Sequence, residues 1–370
     1  MTTGAAWSSA DHAHMAQALQ LAELGLYTTT PNPRVGFVIV RNGTVVGTGW
    51  HRRAGEAHAE IHALREAGER ARGATVYVTL EPCSHHGRTP PCADALIAAS
   101  VGRVVVAMAD PNPLVAGQGL ARLAAAGIDT ACGLLESAAR RLNPGFIHRM
   151  THQRPWLRIK TATSLDGRTA LANGVSQWIT GNEARLDAHR LRARSCAVLT
   201  GIGTVLADNP QLTVRGIDPP RQPAKIIVDS HLRTPPDAQL LQSGNVLIAH
   251  NGQHAEREAP LRDAGAQLLA VPGAQGRVDL PRLFGMLAQH GYNEITAEAG
   301  STLNGALVAA RLADEWIGYF APMLLGNQAQ GLFALPSLVG LADATRLHIG
   351  EIVRIGQDWR LTAHFVPTPR

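Results

Sequence analysis

Short apolar runs alternate with longer, partly polar stretches along the whole chain. In the first half "VGFVIV" (35–40) and "TVVGTGW" (44–50) flank "RNG", which predicts a hairpin. Residues 12–24 have a helical pattern, with Gly25 just past their end as a stop. A helix rich in Ala, Glu and Arg is expected from about 57 to 71, followed by a strand in "ATVYVTL" (74–80) and a helix from Pro91 to Ala99. Then come a strand in "RVVVAMAD" (103–110), a helix near 117–126, a strand in "IDTAC" (128–132) and a short helix to about 142. Strands separated by helices of this length predict an α/β layered sheet. "LNPGFIHRMTHQRPW" (142–156) breaks the rhythm with Pro, Gly and few apolar residues, and reads as a linker. A second strand series follows in "WLRIKTATS", "CAVLTG", "KIIVDS", "NVLIAH", "AQLLAV" and "EITAEAG". It closes in the strand-like "EWIGYFAPMLL", "RLHIGEIVRIG" and "WRLTAHF", so a second sheet is expected, mixed at its C-terminal edge.

Length supports this division. A chain of 370 residues exceeds one ordinary domain and suits two of roughly 150–200 residues each; the expected limits are 1–148 and 149–370. Apolar residues at 45% and charged residues at 17% predict packed cores. No apolar run reaches the length of a membrane span, and the N-terminal stretch does not read as a secretory signal. Four cysteines (Cys83, Cys92, Cys132 and Cys196) are too few for a disulfide framework. A cytoplasmic protein with no membrane partner is the expectation. The net charge of +5 raises the question of nucleic acid. Against it, the arginines are spread along the chain, only Lys160 and Lys225 are lysines, and aromatic residues for base stacking reach only 4%. Small phosphorylated ligands would use the same arginines well.

The chemistry concentrates in "LEPCSHHGRTPPC" (80–92). Cys83 follows a predicted strand and Cys92 lies at a predicted helix start, where the helix dipole favours a thiolate. "HAE" places His58 where another helix begins, with Glu60 two residues on. One imidazole and two thiolates give a tetrahedral zinc three ligands and leave the fourth place for water, as in catalytic rather than structural sites. Glu60 reaches that water without binding metal and serves as a proton shuttle. H-x-E followed by P-C and a second cysteine is the pattern of zinc nucleobase deaminases, although here eight residues rather than two separate the cysteines. His85 and His86 are rival ligands, but either would leave His58 and Glu60 without a role.

"TPNPRVGFVIV", "GWHRRAGEAHAEIHAL", "VTLEPCSHHGRTPPC" and "ADPNPLVAGQGL" together resemble the deaminase half of the bacterial bifunctional riboflavin-biosynthesis deaminase/reductases. The long cysteine loop separates that family from cytidine and transfer-RNA adenosine deaminases. The resemblance implies a cytidine-deaminase-like three-layer α/β domain with zinc on His58, Cys83 and Cys92 and Glu60 as shuttle. It implies a phosphoribosylamino-pyrimidine substrate, with Asn32, His51 and the "GRTPP" loop around its ring and sugar phosphate; Asn32 would equally cap a turn.

The second half has no metal set and no Walker loop. "GIGT" (201–204) alone reads as a turn, whereas "AEAGSTLNGAL" (297–307) runs a strand into a helix whose first amides suit a phosphate, or form a plain capped helix. "KTATSLDGRTALANGVSQWIT", "HRLRARSCAVLTGIGTVLADNPQLTVR", "IIVDS" and "EAGSTLNGAL" resemble the reductase half of the same family, in order and across most of 156–370. That implies a dihydrofolate-reductase-like α/β domain using NADPH. Carried over by position, Ala162, Trp178, Thr204, Asp208, Ser230, Gly300, Ser301, Thr302, Leu303, Asn304, Gly305 and Ala306 would meet the cofactor. Ser176, Arg192, Leu212, Arg215 and Glu298 would meet the ribose phosphate, the two arginines forking onto the phosphate and Glu298 binding sugar hydroxyls. Lys160 is expected beside this site as a compact charge. The family also implies a homo-oligomer, with a dimer favoured. Two rivals remain: a nucleic-acid-editing deaminase, which transfer RNA binding would reveal, and a structural zinc protein, which would have no use for Glu60.

Overall fold

The computed structural model describes residues 7–84, 91–113 and 115–366. The chain forms two compact units that divide between Gln153 and Arg154.

In the first unit the order is α1 (Ser9–Glu23), β1 (Gly36–Arg41), β2 (Thr44–Trp50), α2 (Ala59–Ala67), β3 (Thr75–Val78), α3 (Cys92–Ala98), β4 (Arg103–Val106), α4 (Gln118–Ala125), β5 (Asp129–Cys132), α5 (Glu136–Leu142) and α6 (Pro144–His152). The five strands lie in the order β2-β1-β3-β4-β5. β1 is antiparallel to both β2 and β3, and β3, β4 and β5 are parallel. Alternation along β1 sends Phe37 and Ile39 into a core with α2, α3 and α4, and Val38 and Val40 into one with α1, α5 and α6. Helices therefore cover both faces, which makes the expected three layers.

The segment expected to be a linker is a helix instead. Pro144 occupies the first turn of α6, where its missing N–H is no loss. Just before it, Asn143 is buried, its Oδ1 accepting from Arg34 N and its Nδ2 donating to Arg34 O, both at 2.8 Å. Phe146 and Ile147 pack on the α1 side of the sheet. These contacts help to hold a segment whose Pro and Gly suggested a loop.

Two glycines fix the height of α2 over the sheet. A Cβ on Gly47 would lie 2.3 Å from Ala63 O, and one on Gly49 would lie 2.1 Å from Ala59 O. The backbone of α2 thus rests directly on β2, which sets the position of its first residues.

The second unit contains β6 (Trp156–Ser164), β7 (Arg168–Ala170), α7 (Asn182–Arg194), β8 (Ala197–Gly201), α8 (Ile202–Asp208), β9 (Ala224–Val228), α9 (Gln239–Gln242), β10 (Val246–His250), α10 (Glu258–Asp263) and β11 (Ala266–Ala270). It continues with α11 (Leu280–Gln289), β12 (Glu294–Ala297), α12 (Ser301–Ala309), β13 (Glu315–Ala321), β14 (Gln330–Gly331), β15 (Leu347–Ile355) and β16 (Asp358–Phe365). Nine strands lie in the order β11-β10-β9-β8-β12-β6-β13-β16-β15, while β7 and β14 form a separate ribbon. The run from β11 to β13 is parallel, and β16 and β15 add antiparallel at the edge, as the sequence predicts. α11 and α12 pack on one face, through Phe284 and Leu307; α8, α9 and α10 pack together with β9 and β10 through Ile227 and Ile248. In an open parallel sheet of this kind ligands gather at the C-terminal ends of the strands.

Candidate active sites

In the first unit His58 is the N-cap of α2 and Cys92 is the first residue of α3. Their side chains converge with Cys83, the three ligand atoms lying within 4.8 Å of one another. His58 Nδ1 is 3.2 Å from Cys92 Sγ and 3.8 Å from Cys83 Sγ. Two amides at the start of α3 face Cys83: Cys92 N donates to its Sγ at 3.3 Å and Ala93 N to its carbonyl at 3.2 Å. The hydrogen bond from Cys92 holds the Cys83 thiol down to about 4, and the Cys83 sulfur together with burial pushes the Cys92 thiol up. A divalent cation bound here would displace any thiol proton from the two sulfurs.

Glu60, in the first turn of α2, is buried, and its Oε2 has no hydrogen-bond partner among the described residues. Burial pushes its carboxyl group above the ordinary range. An unpaired carboxylate oxygen beside a His-Cys-Cys set is costly in a purely structural site. It suits a site in which a water molecule has to give up a proton. The donor set and this oxygen both fit zinc.

His51 adjoins the set, its ring edge-on to His58 at a centroid distance of 5.3 Å. Its Nδ1 faces Ala57 O at 3.4 Å and its Nε2 faces Asn32 Nδ2 at 3.1 Å, so the amide donates to Nε2 and the proton sits on Nδ1. Burial, helped by His58, lowers its pKa. Asn32 and His51 are thus brought together, whereas His85, His86 and all of the "GRTPP" loop except Pro91 lie outside the described residues.

Glu81 plays a part that the sequence did not reveal. Its two oxygens accept from the backbone amides of Asp110, Gly117, Gly119 and Leu120 at 2.9–3.1 Å, clamping the start of α4 against the strand end that carries Cys83. The one available signal was a carboxylate in "LEPCS" next to a cysteine.

In the second unit a cleft of about 920 Å³ opens over the strand ends. Ala162, Thr204, Asp208, Ser230, Gly300, Ser301, Thr302, Leu303 and Ala306 line it. Asn304 and Gly305 do not: Asn304 is buried with its Nδ2 donating to Ala299 O at 3.0 Å, and a Cβ on Gly305 would lie 2.2 Å from Ala334 O. They support the loop from behind. An adjoining cavity of about 850 Å³ is lined by Ser176, Trp178, Arg192, Leu212, Arg215 and Glu298. Lys160, Ala162, Ser176, Thr204, Asp208 and Glu298 line both spaces. Trp178 is exposed and carries the Arg185 guanidinium 4.3 Å from its ring centroid.

Arg192 departs from its expected role. Its Nε and Nη2 bind Glu298 at 2.5 and 2.9 Å, and its Nη1 donates to Thr213 O at 2.8 Å. The fork is committed to a buried carboxylate. Among the described residues Arg215 binds only neutral acceptors, Gln211 Oε1 at 3.0 Å and Thr213 Oγ1 at 3.3 Å, so its charge remains for a ligand. Lys160 Nζ lies 3.6 Å from Glu298 Oε2. Burial alone would raise the Glu298 pKa, but Arg192 and Lys160 hold it at about 2.

His189 was missed. It lines the second cavity, and its Nδ1 accepts from Arg215 N at 3.1 Å, which leaves the ring proton on Nε2. Desolvation, with Arg192 and Arg215 nearby, lowers its pKa to about 4. Its position three residues before Arg192 on α7 was the sequence signal.

Residues 155–361 match the family model described as the RibD C-terminal domain. Residues 8–108 match the cytidine and deoxycytidylate deaminase zinc-binding region. The riboflavin biosynthesis protein RibD of Escherichia coli K12 is 51% identical over 360 residues, covering 94% of this chain and 97% of that protein. The chain belongs to the RibD family. The RibD of Haemophilus influenzae is 45% identical over 96% of this chain and 98% of that protein. Among solved structures, Acinetobacter baumannii RibD superposes with a TM-score of 0.90 at 44% identity, covering 97% of this chain and 99% of that one. A Thermotoga maritima protein described as a diaminohydroxyphosphoribosylaminopyrimidine deaminase and 5-amino-6-(5-phosphoribosylamino)uracil reductase gives 0.86 at 29% identity, over 96% and 99% of the two chains. The RibD matches run through both units, and His58, Cys83 and Cys92 fall within the zinc-binding region.

Proposed function

We propose that Glu60 is the proton shuttle of a zinc deaminase held by His58, Cys83 and Cys92, and that the cleft of the second unit binds NADPH beside a ribose phosphate. As a member of the RibD family the chain is a bifunctional enzyme of riboflavin biosynthesis. It deaminates 2,5-diamino-6-(5-phosphoribosylamino)pyrimidin-4(3H)-one hydrolytically, then reduces the ribosyl group of 5-amino-6-(5-phosphoribosylamino)uracil to ribityl.

Bound zinc supplies the acidity that lets water ionise near neutral pH. Glu60 would take that proton on its unpaired Oε2, the oxygen of the water would bond to the ring carbon that carries the amine, and Glu60 would return the proton to that amine as the exocyclic C–N bond breaks, so that water is consumed and ammonia leaves. The pair of Asn32 and His51, beside His58, would meet the substrate ring.

Bound in the cleft of the second unit, NADPH would supply hydride to the imine carbon C1 of the opened ribosylamino group, and a proton from water would complete the amine at the neighbouring nitrogen. Ala162, Thr204, Asp208 and the α12 start at Gly300–Thr302 line the cofactor's path, with Ser230 at its far end and Trp178 over the adjoining cavity. Ser176, Leu212 and Arg215 face the substrate; Arg215 takes the phosphate, while Arg192 and Lys160 keep Glu298 ionised to accept from sugar hydroxyls. The expected limit at 148/149 falls inside α6, so each activity is assigned to one of the two units that divide between Gln153 and Arg154, and the active form is a cytoplasmic homodimer. No helix among the described residues is long and apolar enough to cross a membrane.

The observation that carries the reading is the buried, unpartnered Glu60 oxygen beside three converging metal ligands. The test follows NADPH absorbance after the diaminopyrimidine ribotide is added to wild type and to Glu60→Ala. Wild type should oxidise NADPH, and the variant should do so only with pre-deaminated substrate, while retaining one zinc per chain. Undiminished turnover in the variant, or loss of its zinc, refutes the assignment of Glu60. Ammonia release without NADPH oxidation in wild type refutes that of the cleft.

A further inference from the structure

Residues 211–215, "QLTVR", alternate as a strand does: Leu212 and Val214 are buried, while Gln211 and Arg215 are exposed. Among the described residues, however, no strand pairs with this segment. An extended backbone without a neighbouring strand must find its hydrogen bonds elsewhere. Here side chains supply them at three consecutive residues. Arg192 Nη1 donates to Thr213 O at 2.8 Å. Gln222 serves both groups of Val214, its Oε1 accepting from the amide at 2.7 Å and its Nε2 donating to the carbonyl at 3.3 Å. His189 Nδ1 accepts from Arg215 N at 3.1 Å. The segment is a strap tied to α7 and to Gln222.

The strap carries Leu212 and Arg215 to the second cavity, opposite a stripe of α7 formed by Arg185, Ala188, His189 and Arg192 at helical spacing. Arg215 is exposed, and among the described residues its guanidinium bonds only within the strap, to Gln211 and Thr213. A side chain with so much rotamer freedom delivers its charge wherever its backbone is set down. Of the three ties, His189 makes the one at Arg215 itself.

That tie also fixes the state of the ring. A nitrogen that accepts from an amide carries no proton, so His189 is neutral with its proton on Nε2. Desolvation, together with the charges of Arg192 and Arg215 and against the opposing pull of Glu298, holds its pKa at about 4. The acceptor is therefore in place at neutral pH.

We propose that His189 is a positioning residue of the reductase, which holds the strap through the Arg215 amide and so sets the Arg215 guanidinium where the substrate phosphate binds. The inference rests on the reading of Arg215 as the residue that takes that phosphate. Position 189 then requires an acceptor at the right reach, and neither an imidazole ring nor a charge.

Steady-state NADPH oxidation by the full, zinc-loaded chain tests this with 5-amino-6-(5-phosphoribosylamino)uracil and with its 5′-dephosphorylated form. His189→Leu keeps an apolar side chain there but offers no acceptor. It should raise KM for the phosphorylated substrate about tenfold, the worth of one hydrogen bond, with kcat within about twofold of wild type. KM for the dephosphorylated form should not change. His189→Gln, whose Oε1 can accept from the same amide, should restore most of the difference. In an Arg215→Ala background His189→Leu should cause no further loss, because the tie acts through that side chain. A His189→Leu variant with wild-type KM overturns the proposal. So does a His189→Gln variant as impaired as His189→Leu, which would put the ring itself on the substrate, and so does an equal rise in KM for both substrates, which would mean general damage to the cavity. If Arg215→Ala alone leaves KM for the phosphorylated substrate unchanged, the phosphate reading of Arg215 fails and the inference falls with it.

Discussion

Arg192 and Glu298 meet fork to fork, with Nε to Oε1 at 2.5 Å and Nη2 to Oε2 at 2.9 Å, and both side chains are mostly buried. The pair joins α7 to the end of β12 and sets a carboxylate at the junction of the two reductase cavities. Removing one partner of such a pair leaves the other charge buried without compensation, which costs about 3–5 kcal/mol. Glu298→Gln should therefore destabilise the second unit by about that amount and abolish reduction, while zinc content and ammonia release stay unchanged. Urea unfolding of the variant, compared with Arg192→Leu/Glu298→Leu, checks this: the double variant should regain stability but not activity.

Stability of the second unit should fall at both steps of acidification. Glu298 is held at about 2 in the fold against an ordinary 4.5, so its contribution is complete above 4.5 and is lost as pH falls toward 2. His189 is held at about 4 against 6.5, so the unfolded chain takes up its proton first and stability begins to fall below 6.5. Between pH 5 and 8 His189 stays neutral in the fold. His189→Asn should flatten the stability curve of the second unit between 6.5 and 4 without altering that of the first. Thermal unfolding across this range, read by hydrogen exchange in α7, gives the comparison.

Gly49 sets the depth of His58. A methyl group there would lie 2.1 Å from Ala59 O, the residue after His58. Gly49→Ala should lift the start of α2, lower stability by about 1–3 kcal/mol as overpacking does, and weaken zinc binding. Competition with a chelator should show zinc released from the variant at concentrations that wild type withstands, with NADPH binding intact.

Glu81 receives four backbone amides from the segment that leads into α4. Glu81→Gln replaces one charged oxygen by an NH₂ group that faces donors, so about 2–3 kcal/mol of local stability should be lost. Faster exchange of the amides of Gly119 and Leu120 would report it directly, together with reduced deamination and normal reduction of pre-deaminated substrate.

Periodicity determined the architecture of both units almost element by element, because strands and helices bury their faces at spacings of two and 3.6 residues that can be read along the chain. The antiparallel edge of the second sheet, the His58–Cys83–Cys92 set and Glu60 were legible for a related reason: each sits where a predicted strand or helix begins or ends. What the linear pattern could not show were contacts made between distant segments. α6 looked like a linker until Asn143 found the Arg34 backbone and Phe146 and Ile147 found the sheet. Arg192 looked free for a phosphate until the fold set Glu298 opposite it, and Asn304 and Gly305 shared a motif with cleft residues while facing the core. His189 acquires meaning only from the cavity that it lines. The direction and partner of a charged side chain depend on which remote backbone comes to lie beside it, and that is decided by tertiary packing.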